Sequence, residues 1–223
     1  MIVAVISIVG IWWGITYWGS VSKPETVNTA QQGNGGNSGS SGIGGGSLTE
    51  ATLPPKSDLS EAEKENLLYM IQEEKLARDV YTYLGDKYNL QVFKNIARAE
   101  QTHMNNIALL LDRYGIDNPV ADLKPGEFEN AKLGDLYNQL INQGSQNEVS
   151  ALKVGALIEE TDIKDLEEGI KATDNEDIKY VYDVLKSGSY SHLRAFVRNL
   201  EKYGVDYKPV VLSQAEYDSI IGK

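Results

Sequence analysis

The sequence predicts an all-α fold: a four-helix bundle with a long crossover between its second and third long helices, preceded by a hydrophobic N-terminal helix. Three observations support this prediction. Hydrophobic residues recur with a helical period over four long segments, alternating runs typical of strands are few and short, and glycines follow the periodic segments. Two antiparallel helix pairs joined by one long connection accommodate this order of elements.

The first eighteen residues carry no charged side chain and read MIVAVISIVGIWWGITYW. As a helix they would span about 27 Å, close to the roughly 30 Å hydrocarbon core of a bilayer, with aromatic residues gathered at one end. Residues 1–20 are therefore predicted to be a membrane anchor, with membrane contact through residues 1–18. Two alternatives remain: a signal segment cleaved near Ser20-Val21-Ser22, and a helix that packs with copies of itself, as in a filament core.

Residues 21–57 are predicted to form a flexible linker. The stretch QQGNGGNSGSSGIGGGS is rich in Gly, Ser and Asn and cannot bury enough apolar surface to order itself. A long tether suits a displayed domain, so we expect a membrane-anchored, extracytoplasmic protein exposed at the cell surface. The folded domain is expected over residues 58–207, and residues 208–223 are expected to be a C-terminal tail.

The overall composition excludes several classes of function. Acidic residues outnumber basic ones by 32 to 21, which excludes a broadly basic nucleic-acid-binding protein. The absence of cysteine excludes disulfides, thiolate catalysis, zinc fingers and Cys-bound iron–sulfur clusters. Any site that uses histidine must draw on His103 and His192, because the chain contains two histidines.

The first helix pair is expected to be separated by a tight connection. The first helix is predicted over residues 60–84, with Ser60 and Glu63 as a capping box and Gly85 as its end. The second is predicted over residues 91–114 and also ends at a glycine.

A long, proline-containing connection over residues 116–131 follows, and then a short helix over residues 133–142. The third long helix is predicted over residues 146–171. The fourth is predicted over residues 174–203, with Asp174 or Asn175 as its N-cap.

Several polar residues share the apolar faces of these helices. Glu74 lies one heptad from Tyr81, and Glu100 and His103 are i, i+3 neighbours. In the third long helix the apolar arc includes Glu159 and Asp162, and in the fourth it includes His192. The carboxylates on the helix flanks are expected at the surface: Glu73, Glu160 and Glu168.

The pattern repeats in the two helix pairs. A carboxylate on the first helix, Glu74 or Glu159, is followed roughly thirty residues later by a histidine on the second. An isolated ionised carboxylate in a core costs several kcal/mol, so carboxylates that converge with imidazoles are expected to share divalent cations. Oxygen and imidazole donors suit iron or manganese, and also zinc. A single histidine on an apolar face is more often a hydrogen-bonded core residue, so the prediction depends on the combination.

The segments EEKLARDVY, EQTHM, VGALIEETDIKDL and GSYSHLRAF resemble the ferritin-like superfamily, with a spacing closest to its rubrerythrin-type members. More narrowly, they resemble a ferritin-like domain family of unknown function found in bacteria and archaea. The resemblance covers roughly residues 59–203. It implies a di-iron or mononuclear iron centre, with manganese or zinc as alternatives, whose ligands match Glu74, Glu100, His103, Glu159 and His192.

This sequence departs from the family pattern at Ser189, where the pattern has a carboxylate. Asp162, one turn after Glu159, is the candidate that replaces it as a ligand. Otherwise the site is mononuclear or asymmetric, and Asp162 hydrogen-bonds a neighbour such as Arg194 or a helix end. The residues expected to surround the ligands are Tyr81, Ser189, Arg78 and Arg194.

The predicted function is that of a membrane-tethered protein with a carboxylate–histidine metal centre. The resemblance implies an oxidoreductase that uses O2 or peroxide, or an iron-binding role. Because cysteine is absent, no rubredoxin-like module can supply electrons, which must come from Fe(II) or from a partner donor. A homo-oligomer is a candidate assembly. The alternative is a non-enzymatic structural domain on the same scaffold, displayed at the surface or forming filaments.

Overall fold

The computed structural model describes residues 46–222, so the predictions for residues 1–20 and for most of the linker lie outside the described residues. Within 46–222 the chain contains no β-strand, which confirms the all-α prediction for this part. No helix in this range combines the length and the apolar character needed to cross a membrane. After a 3-10 turn at Glu50–Thr52, the helices are α1 (Glu61–Tyr88), α2 (Gln91–Tyr114), α3 (Ala131–Gly144), α4 (Glu148–Ala172), α5 (Glu176–Lys202) and α6 (Gln214–Ile221).

The ends of α1 confirm one prediction and correct another. Ser60 and Glu63 form the expected capping box, in which the Glu63 carboxylate accepts a hydrogen bond from the Ser60 amide at 2.8 Å. The prediction that α1 ends at Gly85 is wrong, because the helix continues to Tyr88 and is capped by Asn89, which adopts a left-handed conformation with φ 53°. Gly85 instead permits close helix contact, since a Cβ there would lie 3.0 Å from the Phe93 Cβ.

The four long helices pack as two hairpins, α1 with α2 and α4 with α5. The hairpins contact each other through α1 against α4 and α2 against α5, and α3 in the crossover contacts α1 and α4. One end of the shared core is built from fully buried aliphatic side chains, among them Leu67, Met70, Ile107, Leu166, Val181 and Leu185. Burying each such side chain contributes about 1.5–3 kcal/mol, so this core holds the four long helices in register.

The segment that follows α5 packs back onto α4 through Glu160. The Glu160 Oε2 atom accepts hydrogen bonds at 2.8–2.9 Å from three consecutive backbone amides, those of Val210, Val211 and Leu212. The Tyr207 hydroxyl donates to Oε1 at 2.5 Å. The expectation that Glu160 lies at the surface is wrong, since its side chain is 0% exposed. The C-terminal segment covers Glu160 and excludes it from solvent.

Candidate metal centre

The five residues matched to metal ligands lie in the middle of the four long helices. Glu74 is in α1, Glu100 and His103 are in α2, Glu159 is in α4 and His192 is in α5. Each is at most 2% exposed. Because these helices are held in register by the core, the five side chains occupy one buried space.

Two trios of these side chains share Glu100. The His103 Nδ1 atom lies 3.2 Å from Glu74 Oε2 and 2.9 Å from Glu100 Oε2. The His192 Nδ1 atom lies 3.0 Å from Glu100 Oε1 and 3.4 Å from Glu159 Oε2. Within each trio the candidate ligand atoms lie within 4.8 Å of one another, so each trio could hold a metal ion. Glu100 therefore belongs to both trios and places one of its oxygens beside each histidine.

The centre contains buried polar atoms with no hydrogen-bond partner. They are Glu74 Oε1, Glu100 Oε1, His103 Nε2 and both ring nitrogens of His192. Glu100 Oε1 and His192 Nδ1 lie 3.0 Å apart, but the contact does not have the geometry of a hydrogen bond. Buried polar atoms in folded proteins normally have partners, and a cation placed among these atoms would satisfy them. The residues present therefore fit a metal ion.

The protonation of the cluster reflects its burial. Burial raises the pKa of Glu74 to about 7 and that of Glu159 to about 6. Burial acts in the same direction on Glu100, but the His192 and His103 rings beside it hold its pKa well below the usual range. Burial lowers the pKa of His192, but the Glu100 and Glu159 carboxylates outweigh that effect and raise it to about 10. In the metal-free chain, protons thus offset the carboxylate charge.

Asp162 and Ser189 meet beside the two trios. The Ser189 hydroxyl donates a hydrogen bond to Asp162 Oδ2 at 2.5 Å. Burial raises the pKa of Asp162 well above its usual value, and the charges of Glu74 and Glu159 raise it further. The Asp162 carboxyl group therefore faces the cluster from α4, and the serine on α5 hydrogen-bonds to it.

Tyr81 contacts the cluster from the side of α1. Its hydroxyl donates a hydrogen bond to Glu159 Oε1 at 2.5 Å, and its ring packs at 5.8 Å from Phe93 and 5.3 Å from Phe196. A Cβ at Gly155 would lie 2.4 Å from the Phe196 ring, so this glycine lets α4 approach the aromatic group. The packed rings hold Tyr81 in place, and its hydrogen bond fixes the orientation of Glu159.

The two arginines expected near the ligands bond to other partners. Arg78 bonds to the Asp79 carboxylate and to the Gln101 side chain. Arg194 bonds to Ser191 and to the Ile220 carbonyl oxygen in α6. Asp162 is thus bonded to Ser189 rather than to Arg194.

Sequence reasoning missed a second group of carboxylates beside the centre. Glu73 was expected at the surface, which is wrong, because it is 8% exposed and lies in contact with Asp165 of α4. The sequence signal for Asp165 is its position three residues after Asp162, which places both on the same side of the helix. Glu168 is exposed, as predicted.

Comparisons with known proteins cover the region that carries this centre. A family described as "Uncharacterized protein domain (DUF2202)" matches residues 63–223. The chain is 54% identical over 167 residues to the uncharacterized protein MJ0754 of Methanocaldococcus jannaschii, covering 75% of this chain and 90% of that protein. The crystal structure of the hypothetical protein MJ0754 from Methanococcus jannaschii matches with a TM-score of 0.74 at 53% identity, covering 76% of this chain and 97% of that chain. All the candidate ligands lie within the matched region.

Proposed function

The chain belongs to the DUF2202 family, and we propose that its helical domain is an iron protein that uses a buried carboxylate–histidine centre for redox chemistry with O2 or peroxide. The two contacting helix hairpins support the further proposal that the domain is a ferritin-like bundle. From the N-terminal sequence we propose that it is tethered to a membrane on the extracytoplasmic side.

The observation that carries this proposal is the position of Glu100 between two histidines. Its two oxygens lie 2.9 Å from His103 Nδ1 and 3.0 Å from His192 Nδ1. Glu100 and His103 with Glu74 would hold one cation, and Glu100 and His192 with Glu159 would hold a second. A mixed set of carboxylate and imidazole donors suits iron and manganese, and excludes a preference for soft metals.

The second cation position is the trio that contains His192. It has one carboxylate fewer than the family pattern provides, because Ser189 stands where that pattern has a carboxylate. We propose that Asp162 makes up the difference, since it hydrogen-bonds to Ser189 and the charges of Glu74 and Glu159 raise its pKa, which places it next to both ligands. Bound iron would supply the one-electron chemistry, with electrons from Fe(II) itself or from a partner. The hydrogen bond from Tyr81 keeps Glu159 oriented toward His192, and the buried helices exclude bulk water from the centre.

Metal analysis of the loaded protein tests this function. The full chain is loaded anaerobically with Fe(II), freed of excess metal, and its iron is counted by elemental analysis before oxygen consumption is measured. We expect up to two iron ions per chain, a loss of iron in His103→Ala and Glu100→Ala, and unchanged iron in the exposed control Glu168→Gln. Equal iron content in all four proteins would refute the centre. Bound iron that consumes no O2 or peroxide would favour the structural alternative.

A further inference from the structure

A buried carboxylate outside the two trios has an unsatisfied oxygen. Glu73 is 8% exposed, and its Oε1 atom accepts a hydrogen bond from the Tyr69 hydroxyl at 3.1 Å. Its Oε2 atom is buried and has no hydrogen-bond donor. A buried acceptor without a partner is unusual and calls for a proton or a cation beside it.

The group nearest to Glu73 is another carboxyl group. Glu73 in α1 and Asp165 in α4 are within hydrogen-bonding contact, although two ionised carboxylates can only accept. Asp165 is partly exposed, and the exposed Glu168 of the same helix adds negative charge beside it. A cation that approaches this surface therefore meets two converging carboxylates, one accessible and one buried.

A line of carboxylates connects this pair to the buried centre. The negative charge of Asp162 raises the pKa of Glu73, and the charges of Glu74 and Glu159 raise the pKa of Asp162, so these groups lie close together. Asp162 and Asp165 are one turn apart in α4, and Glu73 and Glu74 are adjacent in α1. Asp165 and Asp162 are both partly exposed, and the buried Glu73 is close to both, so the pair lies beside the trios at the contact between α1 and α4.

We infer that Glu73 and Asp165 form an outer site for a hydrated divalent cation at the contact between α1 and α4, and that cations reach the buried centre through it. The transfer role rests on the proposed function, whereas binding at the outer site does not. Two carboxylates with the remaining positions filled by water suit a hard cation that keeps part of its hydration shell. The formal charge of −11 favours the approach of cations to this surface.

Co(II) is the probe that separates the two sites. Binding at the buried trios places imidazole nitrogens around Co(II) and produces a visible absorption band. An ion held by two carboxylates and water contributes to the total bound, measured by equilibrium dialysis, with little absorption. The full chain is compared with Asp165→Asn, Glu73→Gln and the control Glu168→Gln, which removes a nearby charge from the same helix without removing a proposed ligand.

In the wild type we expect one weakly held Co(II) in excess of those reported by the absorption band. Asp165→Asn should weaken that extra ion and slow the appearance of the band, each by about tenfold or more, with the same final absorbance. Glu168→Gln should change neither quantity by more than about twofold.

Two results would overturn the outer site: equal ion counts and loading rates in the wild type and Asp165→Asn, or equal slowing in Asp165→Asn and Glu168→Gln. Asp165→Asn is the deciding variant, because Glu73 is next to a candidate ligand. Failure of the proposed function is distinguishable. It would remove the absorption band from the wild type, while the dialysis count in Asp165→Asn still reports on the outer site.

Discussion

Replacing Glu160 by alanine should release the C-terminal segment from α4. The substitution removes the acceptor for four donors, of which the Leu212 amide and the Tyr207 hydroxyl are buried and the other two amides are partly buried. A buried donor left without an acceptor costs about 1–3 kcal/mol, so the two buried donors alone predict a loss of about 2–6 kcal/mol.

The actual loss in free energy of unfolding is expected to lie below the middle of that range. Burial raises the pKa of Glu160 in spite of its four hydrogen bonds, so removing the carboxylate also relieves a desolvation cost. We therefore expect Glu160→Ala to lower the free energy of unfolding by about 3 kcal/mol. Glu160→Gln retains an acceptor oxygen and most of the volume, and should lower it by about 1 kcal/mol.

Urea unfolding followed by circular dichroism measures the global effect, and hydrogen exchange of residues 205–222 measures the local one. Exchange in that segment should rise strongly in Glu160→Ala, while exchange in the middle of α1 changes less. The matched control is Glu168→Ala in the same helix, whose exposed side chain predicts a change within about 0.5 kcal/mol. If Glu160→Ala unfolds at the same urea concentration as Glu168→Ala, the hydrogen bonds of Glu160 do not hold the segment.

Three further predictions concern acid stability, the second cation position and the N-terminal segment. Burial opposes ionisation of Glu63, but hydrogen bonds from Thr173, Ser60 and Asn175 lower its pKa from the ordinary 4.5 to about 2. Its contribution to stability is therefore fully present above about pH 4.5 and is lost as the pH falls toward 2, so Glu63→Gln should flatten the acid limb of a pH series of urea midpoints. An unchanged acid limb would contradict this. If Asp162 supplies the carboxylate that Ser189 lacks, Asp162→Ala should lower the iron count and Ser189→Glu should raise occupancy of the second position. Unchanged counts in both variants would indicate a mononuclear centre or none. Deleting residues 1–20 should give soluble protein with a helical circular dichroism spectrum, because a Gly/Ser/Asn-rich linker does not transmit packing. An insoluble or unfolded product would assign that segment to the core or to an assembly interface.

The parts of the fold that were predictable depend on local rules. The capping box at Ser60 and the end of α2 at Gly115, with φ 68°, follow from backbone chemistry within a few residues. Gly85 has a different role. Phe93 of the next helix lies so close that a side chain at position 85 would contact it, and no local sequence pattern reveals this approach. The same signal, a glycine near the end of a periodic segment, thus has two physical causes.

The inward-facing cluster was predictable, whereas the residues around it were not. Glu74, Glu100 and His192 share the period of the apolar faces, so their convergence follows once the helices are paired. Helical periodicity assumes one buried face per helix. It therefore assigned Glu160 and Glu73 to solvent, but the C-terminal segment covers the first and the α1–α4 contact covers the second.

The electrostatics of α4 explain why so many carboxylates are tolerated there. Glu159 and Asp162 face the centre, Asp165 on the same side faces Glu73, and Glu160 faces the C-terminal segment, so two sides of one helix carry acidic groups in contact with other elements. Around the trios, Glu74, Glu100, Glu159 and Asp162 would carry four negative charges if all were ionised. Two divalent cations balance that charge with neutral imidazoles, whereas the metal-free chain must retain protons on Glu74, Asp162 and the histidines, as their raised pKa values indicate. Because metals and protons compete for these same atoms, a centre of this composition is expected to bind divalent cations more strongly as the pH rises.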